Sequence, residues 1–157
     1  MAHHLLPEIE RSWLDQLVHC FLIRDPKEVL LSLSKVTPNP RMADTGLPQQ
    51  LEIFDRVRER TGTTPPILDA RDVLDDPRGT LSRLCESIAV PFNDAMLSWP
   101  AGPRVTDGVW ARYWYAAVEK STTFEPNRPR NEELPARLAG LCEDCRPYYA
   151  RMHALRL

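Results

Sequence analysis

Glycine is scarce in these 157 residues, and its six copies, Gly46, Gly62, Gly79, Gly102, Gly108 and Gly140, stand singly. None belongs to a cluster followed by Lys-Ser or Lys-Thr, so the sequence holds no glycine-rich turn of the kind that cradles nucleotide phosphates in backbone N–H groups. Cysteine is also sparse. Cys20, Cys85, Cys142 and Cys145 are too few for a disulfide scaffold, and three of them fall in apolar periodic patterns, as reduced buried thiols do. No apolar run approaches the ~20 residues that a membrane span needs, and the amino terminus lacks the charged-then-apolar pattern of a secretory signal. Charge of either sign is nearly balanced, with 20 Lys and Arg against 22 Asp and Glu and a net charge of −2. No global basic field directs the protein to nucleic acid or an anionic membrane, so any anion site must be local. The expectation is a soluble, cytoplasmic protein of one domain, residues 1–157, with no nucleic-acid or membrane partner.

Apolar residues are plentiful, and their spacing predicts the elements. Glu8 to Gln16 reads as a short helix with Ile9, Trp13 and Leu17 on one side. Leu17 to Ile23 is an almost unbroken apolar run, the pattern of a strand buried on both faces. A helix over 26–36 follows, with Val29, Leu30, Leu33 and Val36 as its apolar stripe and Glu28, Ser32 and Lys35 on the opposite face. A proline-rich loop leads to a helix over 48–61 closed by Gly62, then a short strand over 66–70, giving a right-handed βαβ unit. Further helices are expected over 77–88, with Leu81, Leu84, Cys85 and Ile88 inward, over 109–119, and from Leu134 to the end, kinked or split at Pro147.

The junction Ile23-Arg24-Asp25-Pro26-Lys-Glu28 carries the chemistry. Asp25 suits a helix cap, Pro26 the first helical position and Glu28 a capping box, so the helix start is well specified. Arg24 then sits at the carboxyl end of a strand beside a helix amino terminus, where open α/β sheets bind phosphorylated ligands. Ser32 lies about two turns further along the same helix. A guanidinium fork and a hydroxyl placed this way are suited to holding one phosphate from two sides.

This Arg-x7-Ser spacing, with Pro two residues after the Arg, resembles the 3′-phosphate-binding motif of sulfotransferases that use 3′-phosphoadenosine 5′-phosphosulfate. The resemblance continues in family order. Asp69 to Phe92 is similar to the family's strand, acidic turn and Asp-Pro helix, and His4-Leu-Leu-Pro-Glu-Ile-Glu-Arg-Ser-Trp13 to the stretch with its general-base histidine. It covers about the first two thirds of the chain and weakens beyond Trp99.

The resemblance implies a partial P-loop NTPase-like, sulfotransferase-like α/β fold: a parallel sheet flanked by helices, with a helix-rich carboxy-terminal part. It implies 3′-phosphoadenosine 5′-phosphosulfate as co-substrate, no metal, and transfer of a sulfuryl group to a small hydroxyl or amine acceptor. His4 would be the base, with His3 as competitor, and Arg24 and Ser32 would bind the 3′-phosphate. Arg104, in Gly102-Pro-Arg-Val-Thr-Asp-Gly108-Val-Trp110, falls where the family has a basic nucleotide-closing loop, although the Lys of that loop is missing and Arg104 is offset by about one position. Because no phosphosulfate-gripping turn occurs, the sequence reads as an amino-terminally truncated carboxy-terminal portion, inactive alone. Whether it is an enzyme by itself stays open.

Two other functions compete: a non-catalytic binding module, with a homodimer through an unpaired sheet edge, and a nucleotide kinase fragment, which fits the Arg-to-Ser spacing less well. Several motifs have simpler readings than chemistry. The Cys142-x-x-Cys145 pair lies in helical register and reads as structural thiols, the aromatics Trp110, Tyr113, Trp114 and Tyr115 as core, and Asp75 or Asp76 as a helix cap in place of a magnesium ligand.

Overall fold

The apolar run ending at Ile23 is a strand for only its last three residues. In the computed structural model, which describes residues 2–6, 8–109, 111–128 and 132–157, with the side chains of His3 and Trp114 excepted, β1 is Phe21–Ile23. It pairs in parallel with β2, Ile67–Asp69, Phe21 opposite Ile67 and Ile23 opposite Asp69. Phe21 N–H donates to the Pro66 carbonyl at 2.9 Å. The polar groups of Leu22 therefore face away from β2, and the Leu22 carbonyl accepts from the Gln50 side-chain amide at 2.8 Å. On the far side of β2 the Ile67 carbonyl accepts from the backbone N–H of Leu157 at 2.9 Å. A side-chain amide and a chain terminus thus supply hydrogen bonds that neighbouring strands would otherwise give.

Burial over β1 differs from the expectation of two covered faces. Phe21 and Ile23 are buried, whereas Leu22 is 59% exposed and Leu17 and Val18 are exposed as well. The pleat turns alternate side chains to opposite faces, and only the Phe21 and Ile23 face is packed. That face meets Phe54, Ile67 and Met152 in a core to which Leu51, Ile53 and Tyr149 add. Phe21 and Phe54 meet edge to face at 5.6 Å. Burying each large side chain here contributes about 1.5–3 kcal/mol.

Helix α1, Pro26–Leu33, begins as the sequence indicates, with Pro26 in its first turn and the Asp25 carboxylate accepting the Lys27 N–H at 2.8 Å. It stops short of Val36, which is exposed, and buries Pro26, Leu30 and Leu31. The expected stripe of 29, 30, 33 and 36 is thus rotated toward Leu31. The short helix α2, Met42–Thr45, interrupts the proline-rich loop, and α3, Leu47–Thr61, is the crossover that buries Leu47, Phe54 and Val57. Gly62 closes α3 at φ +67°, a conformation that favours glycine. The helix expected over 8–16 is reduced to a 3-10 turn, Ser12–Gln16, in which only Leu14 is buried; Ile9, Trp13 and Leu17 are exposed.

Two compact units divide the chain: Met1–Arg71 with Arg128–Leu157, and Asp72–Asn127. Helix α4, Ala70–Asp75, leaves β2 directly. In the second unit α5, Pro77–Ser87, is capped by Asp76, whose carboxylate accepts the Gly79 N–H at 2.9 Å. A Cβ on Gly79 would lie 2.0 Å from that carboxylate, so a larger residue there would require the Asp76 side chain to shift. Of the inward stripe expected in this helix only Cys85 is buried, together with Thr80. The helix expected over 109–119 is reduced to α6, Ala111–Trp114, and Tyr113 is exposed where a core aromatic was expected. Trp110 lies outside the described residues.

Helix α7, Ala139–His153, returns to the first unit and runs through Pro147 without splitting. Cys142 and Cys145 before the proline and Met152 after it are all buried, which pins both halves. The helix is tied to β2 by the Tyr149 O–H, which donates to Asp69 Oδ2 at 2.6 Å, and Asp69 is only 4% exposed. Burial and this hydrogen bond push the Tyr149 phenol above its ordinary value of 10.0. Tyr149→Phe leaves a buried carboxylate oxygen unpaired and is expected to cost about 1–3 kcal/mol in urea unfolding. The sign of the pH effect follows from the raised value. Above pH ~10 the unfolded phenol loses its proton while the folded one keeps it, so stability falls as pH rises, and the Phe variant should show a shallower alkaline decline.

Candidate functional site at the carboxyl ends of the two strands

Parallel pairing of β1 and β2 brings two connections side by side at the sheet's carboxyl edge, the Arg24-Asp25 link into α1 and the first residues of α4, Ala70-Arg71. Arg24 forms an ion pair with Glu28, four residues on. Its Nε and Nη2 both donate to Glu28 Oε2, at 2.9 and 2.7 Å. Glu28 is therefore turned to Arg24 and does not complete the expected capping box. The Arg24 side chain remains 37% exposed, and that of Glu28 16%.

Arg24 lines a small cavity with Asp25, Glu28, Asp69, Arg71 and Tyr149. Its volume is about 10 Å³, too small to enclose a phosphate, so an anion would rest across its mouth. Each carboxylate in the wall already accepts from a donor. Glu28 takes Arg24, Asp25 takes the Lys27 N–H, and Asp69 takes the Tyr149 O–H and, at 2.8 Å, the Arg71 N–H. Ser32 is half-buried one turn beyond Glu28 on the same side of α1, and it is not part of this wall. Its hydroxyl makes no hydrogen bond among the described residues.

The other predicted residues lie elsewhere. His4 ends a 3-10 turn, Ala2–His4, is exposed, and lines an open groove of about 450 Å³ with Trp13, Leu17, His19, Leu22 and Ile53. The side chain of His3 lies outside the described residues. Arg104 belongs to the second unit, where its backbone N–H donates to Asp107 Oδ2 at 2.8 Å and its side chain is exposed. Two residues of the cavity wall, Arg71 and Tyr149, did not emerge from the sequence. For Arg71 a signal existed, a basic residue just past a strand's carboxyl end; for Tyr149 there was none, because 80 residues separate it from Asp69.

The cysteine pair has no reactive setting. Cys142 and Cys145 are buried, and burial pushes both thiols up from their ordinary value, which disfavours the thiolate. Cys145 Sγ packs against the thioether of Met42 at 3.8 Å. Among the described residues no group of three or more His, Cys, Asp or Glu is arranged to hold a metal ion. Asp76 caps α5, as expected of Asp75 or Asp76. Among the described residues no helix is long and apolar enough to cross a membrane.

A parallel βαβ unit with two arginines at its partly exposed carboxyl edge defines the class: an α/β protein with a candidate anion site. Comparison with known proteins gives the family. The family model described as a sulfotransferase domain matches residues 1–156, and the chain belongs to that family. It is similar to two Arabidopsis thaliana proteins, branched-chain-amino-acid aminotransferase-like proteins 2 and 1, each 37% identical over 131 residues. Those residues are 83% of this chain but only 23% of either relative, so the chain spans under a quarter of their length. Among solved structures it is similar to the sulfotransferase domain from the curacin biosynthetic pathway, with 16% identity and a TM-score of 0.45, over 85% of this chain and 52% of that one.

The thiol burial predicts a simple count. Cys20 alone is exposed, so one thiol should react rapidly with a water-soluble disulfide reagent in the native protein and all four after unfolding in guanidinium.

Proposed function

We propose that this chain supplies the nucleotide 3′-phosphate site of a sulfotransferase, which moves a sulfuryl group from 3′-phosphoadenosine 5′-phosphosulfate to a small molecule bearing a hydroxyl or amine. The observation that carries this reading is the placement of Arg24. A partly exposed guanidinium stands at the carboxyl end of β1 beside a helix start, in a chain of the sulfotransferase domain family. Glu28 fixes the plane of the fork, and Ser32 one turn further along α1 offers a hydroxyl to an anion lying along that side of the helix. His4, on the rim of the apolar groove, is the proposed base for the acceptor, and Arg104 a proposed second contact to the nucleotide. No metal is proposed. Four free thiols suit a reducing compartment, and a cytoplasmic location is proposed with them. We assign no amino-group transfer to this region, since it spans only 23% of the aminotransferase-like relatives and the whole-chain match is to a sulfotransferase domain.

Residues 1–157 contain no glycine-rich Lys-Ser or Lys-Thr turn, so these residues alone are expected to bind nucleotide weakly and to transfer no sulfuryl group. In calorimetric titration with 3′-phosphoadenosine 5′-phosphate, Arg24→Ala should weaken binding about tenfold and Ser32→Ala by a smaller factor. Unchanged affinity in both variants would refute the assignment.

A second reading, a non-catalytic module, is favoured by one observation: Leu17, Val18 and Leu22 are all exposed along and before β1. In that reading a second copy covers them. Sedimentation should then show a dimer that Val18→Asp converts to a monomer.

A further inference from the structure

We propose that Arg71 is a second guanidinium of the nucleotide site, holding the ribose-linked phosphate jointly with Arg24; this rests on the nucleotide reading above. The sheet register places the two residues together. Ile23 lies opposite Asp69, so Arg24 follows one strand end and Arg71 comes two residues past the other, with the strands about 4.8 Å apart. Both residues line the same small cavity.

The hydrogen-bond inventory of that mouth shows which donors remain for a ligand. Arg24 spends Nε and Nη2 on a single Glu28 oxygen, and its Nη1 makes no hydrogen bond among the described residues. Arg71 is held by its backbone, through the N–H bonded to Asp69 Oδ1 at 2.8 Å. Its guanidinium is exposed and makes no hydrogen bond or ion pair among the described residues. The three carboxylates of the wall are committed to Arg24, the Lys27 N–H, the Arg71 N–H and the Tyr149 O–H. The unspent groups are therefore donors: a complete planar fork on Arg71 and one nitrogen on Arg24. A phosphate across the mouth takes a bidentate pair from Arg71 and a third bond from Arg24, and the Arg24–Glu28 pair need not break. Because the site lies at the surface, neither guanidinium has to be stripped of water in advance.

This geometry selects nucleotides with a phosphate on the ribose over those with only a 5′-phosphate. The test is calorimetric titration of the 157-residue chain and of Arg71→Ala, Arg71→Lys and Arg24→Ala with 3′-phosphoadenosine 5′-phosphate and with adenosine 5′-phosphate. Arg71→Ala should weaken the bisphosphate about tenfold while leaving adenosine 5′-phosphate within about twofold, and Arg71→Lys should recover only part, because an ammonium cannot bond in fork fashion. Equal bisphosphate affinity in the native chain and Arg71→Ala, alongside weakening by Arg24→Ala, would overturn the role of Arg71 and leave the nucleotide reading standing. Indifference of the native chain to the ribose phosphate would overturn both.

Discussion

The carboxylate of Asp69 is the constraint on which the candidate site depends. Buried at the end of β2, it takes a hydrogen bond from Tyr149 on α7 and another from the backbone N–H of Arg71. A buried carboxylate without partners costs several kcal/mol, so these donors are needed for the strand to end where it does. One acceptor thereby fixes the last helix against the sheet and sets where the chain turns out of β2. That turn decides which side of the sheet edge Arg71 reaches. With β1 locked in register by Phe21 and Ile67, the backbones of the two arginines leave the sheet about one strand spacing apart.

Local signals were legible in the sequence, and they were those in which a residue acts on its neighbours. Asp25 and Pro26 mark the start of α1, Gly62 its counterpart at the end of α3, and Asp76 the cap of α5, each through a bond or a dihedral within a few residues. The parallel βαβ unit followed from their order. Family membership was legible too, in the Arg24-to-Ser32 spacing and the Asp69-to-Phe92 stretch. Where a side chain's fate depended on a distant partner, the reading failed. Leu17, Val18 and Leu22 are as apolar as a two-sided strand requires, but apolarity reports what a residue favours, whereas burial needs a second surface to meet it. The same holds for Trp13 and Tyr113. Tyr149 shows the converse, a core-facing residue that acquired a polar role from an aspartate 80 positions away.

Glu28 is the most informative local misreading. Its position suits a capping box, but the Asp25 carboxylate bonds the Lys27 N–H, and a guanidinium preceding the helix offers Glu28 two donors in place of the single Asp25 N–H. Two bonds from a cationic fork to one carboxylate oxygen outweigh the single bond that a neutral amide would give, so the ion pair prevails. An acidic residue between Arg24 and Ser32 is hostile to an anion only when charges are counted without their bonds. Both Arg24 bonds go to one Glu28 oxygen, which orients the fork and leaves Nη1 without a hydrogen bond among the described residues. In a chain of net charge −2, with no long-range attraction for phosphate, selection at this edge must come from directed donors. Such donors bind more tightly the less ordering they need when the ligand arrives, because ordering a free arginine consumes part of the bond it makes. Glu28 orders the Arg24 side chain in advance, whereas Asp69 fixes the backbone of Arg71 and leaves its side chain to order on binding. The acidic residues around the strand ends therefore serve the anion site as its framework, and removing their charge would loosen the arginines before it made the surface more attractive to phosphate.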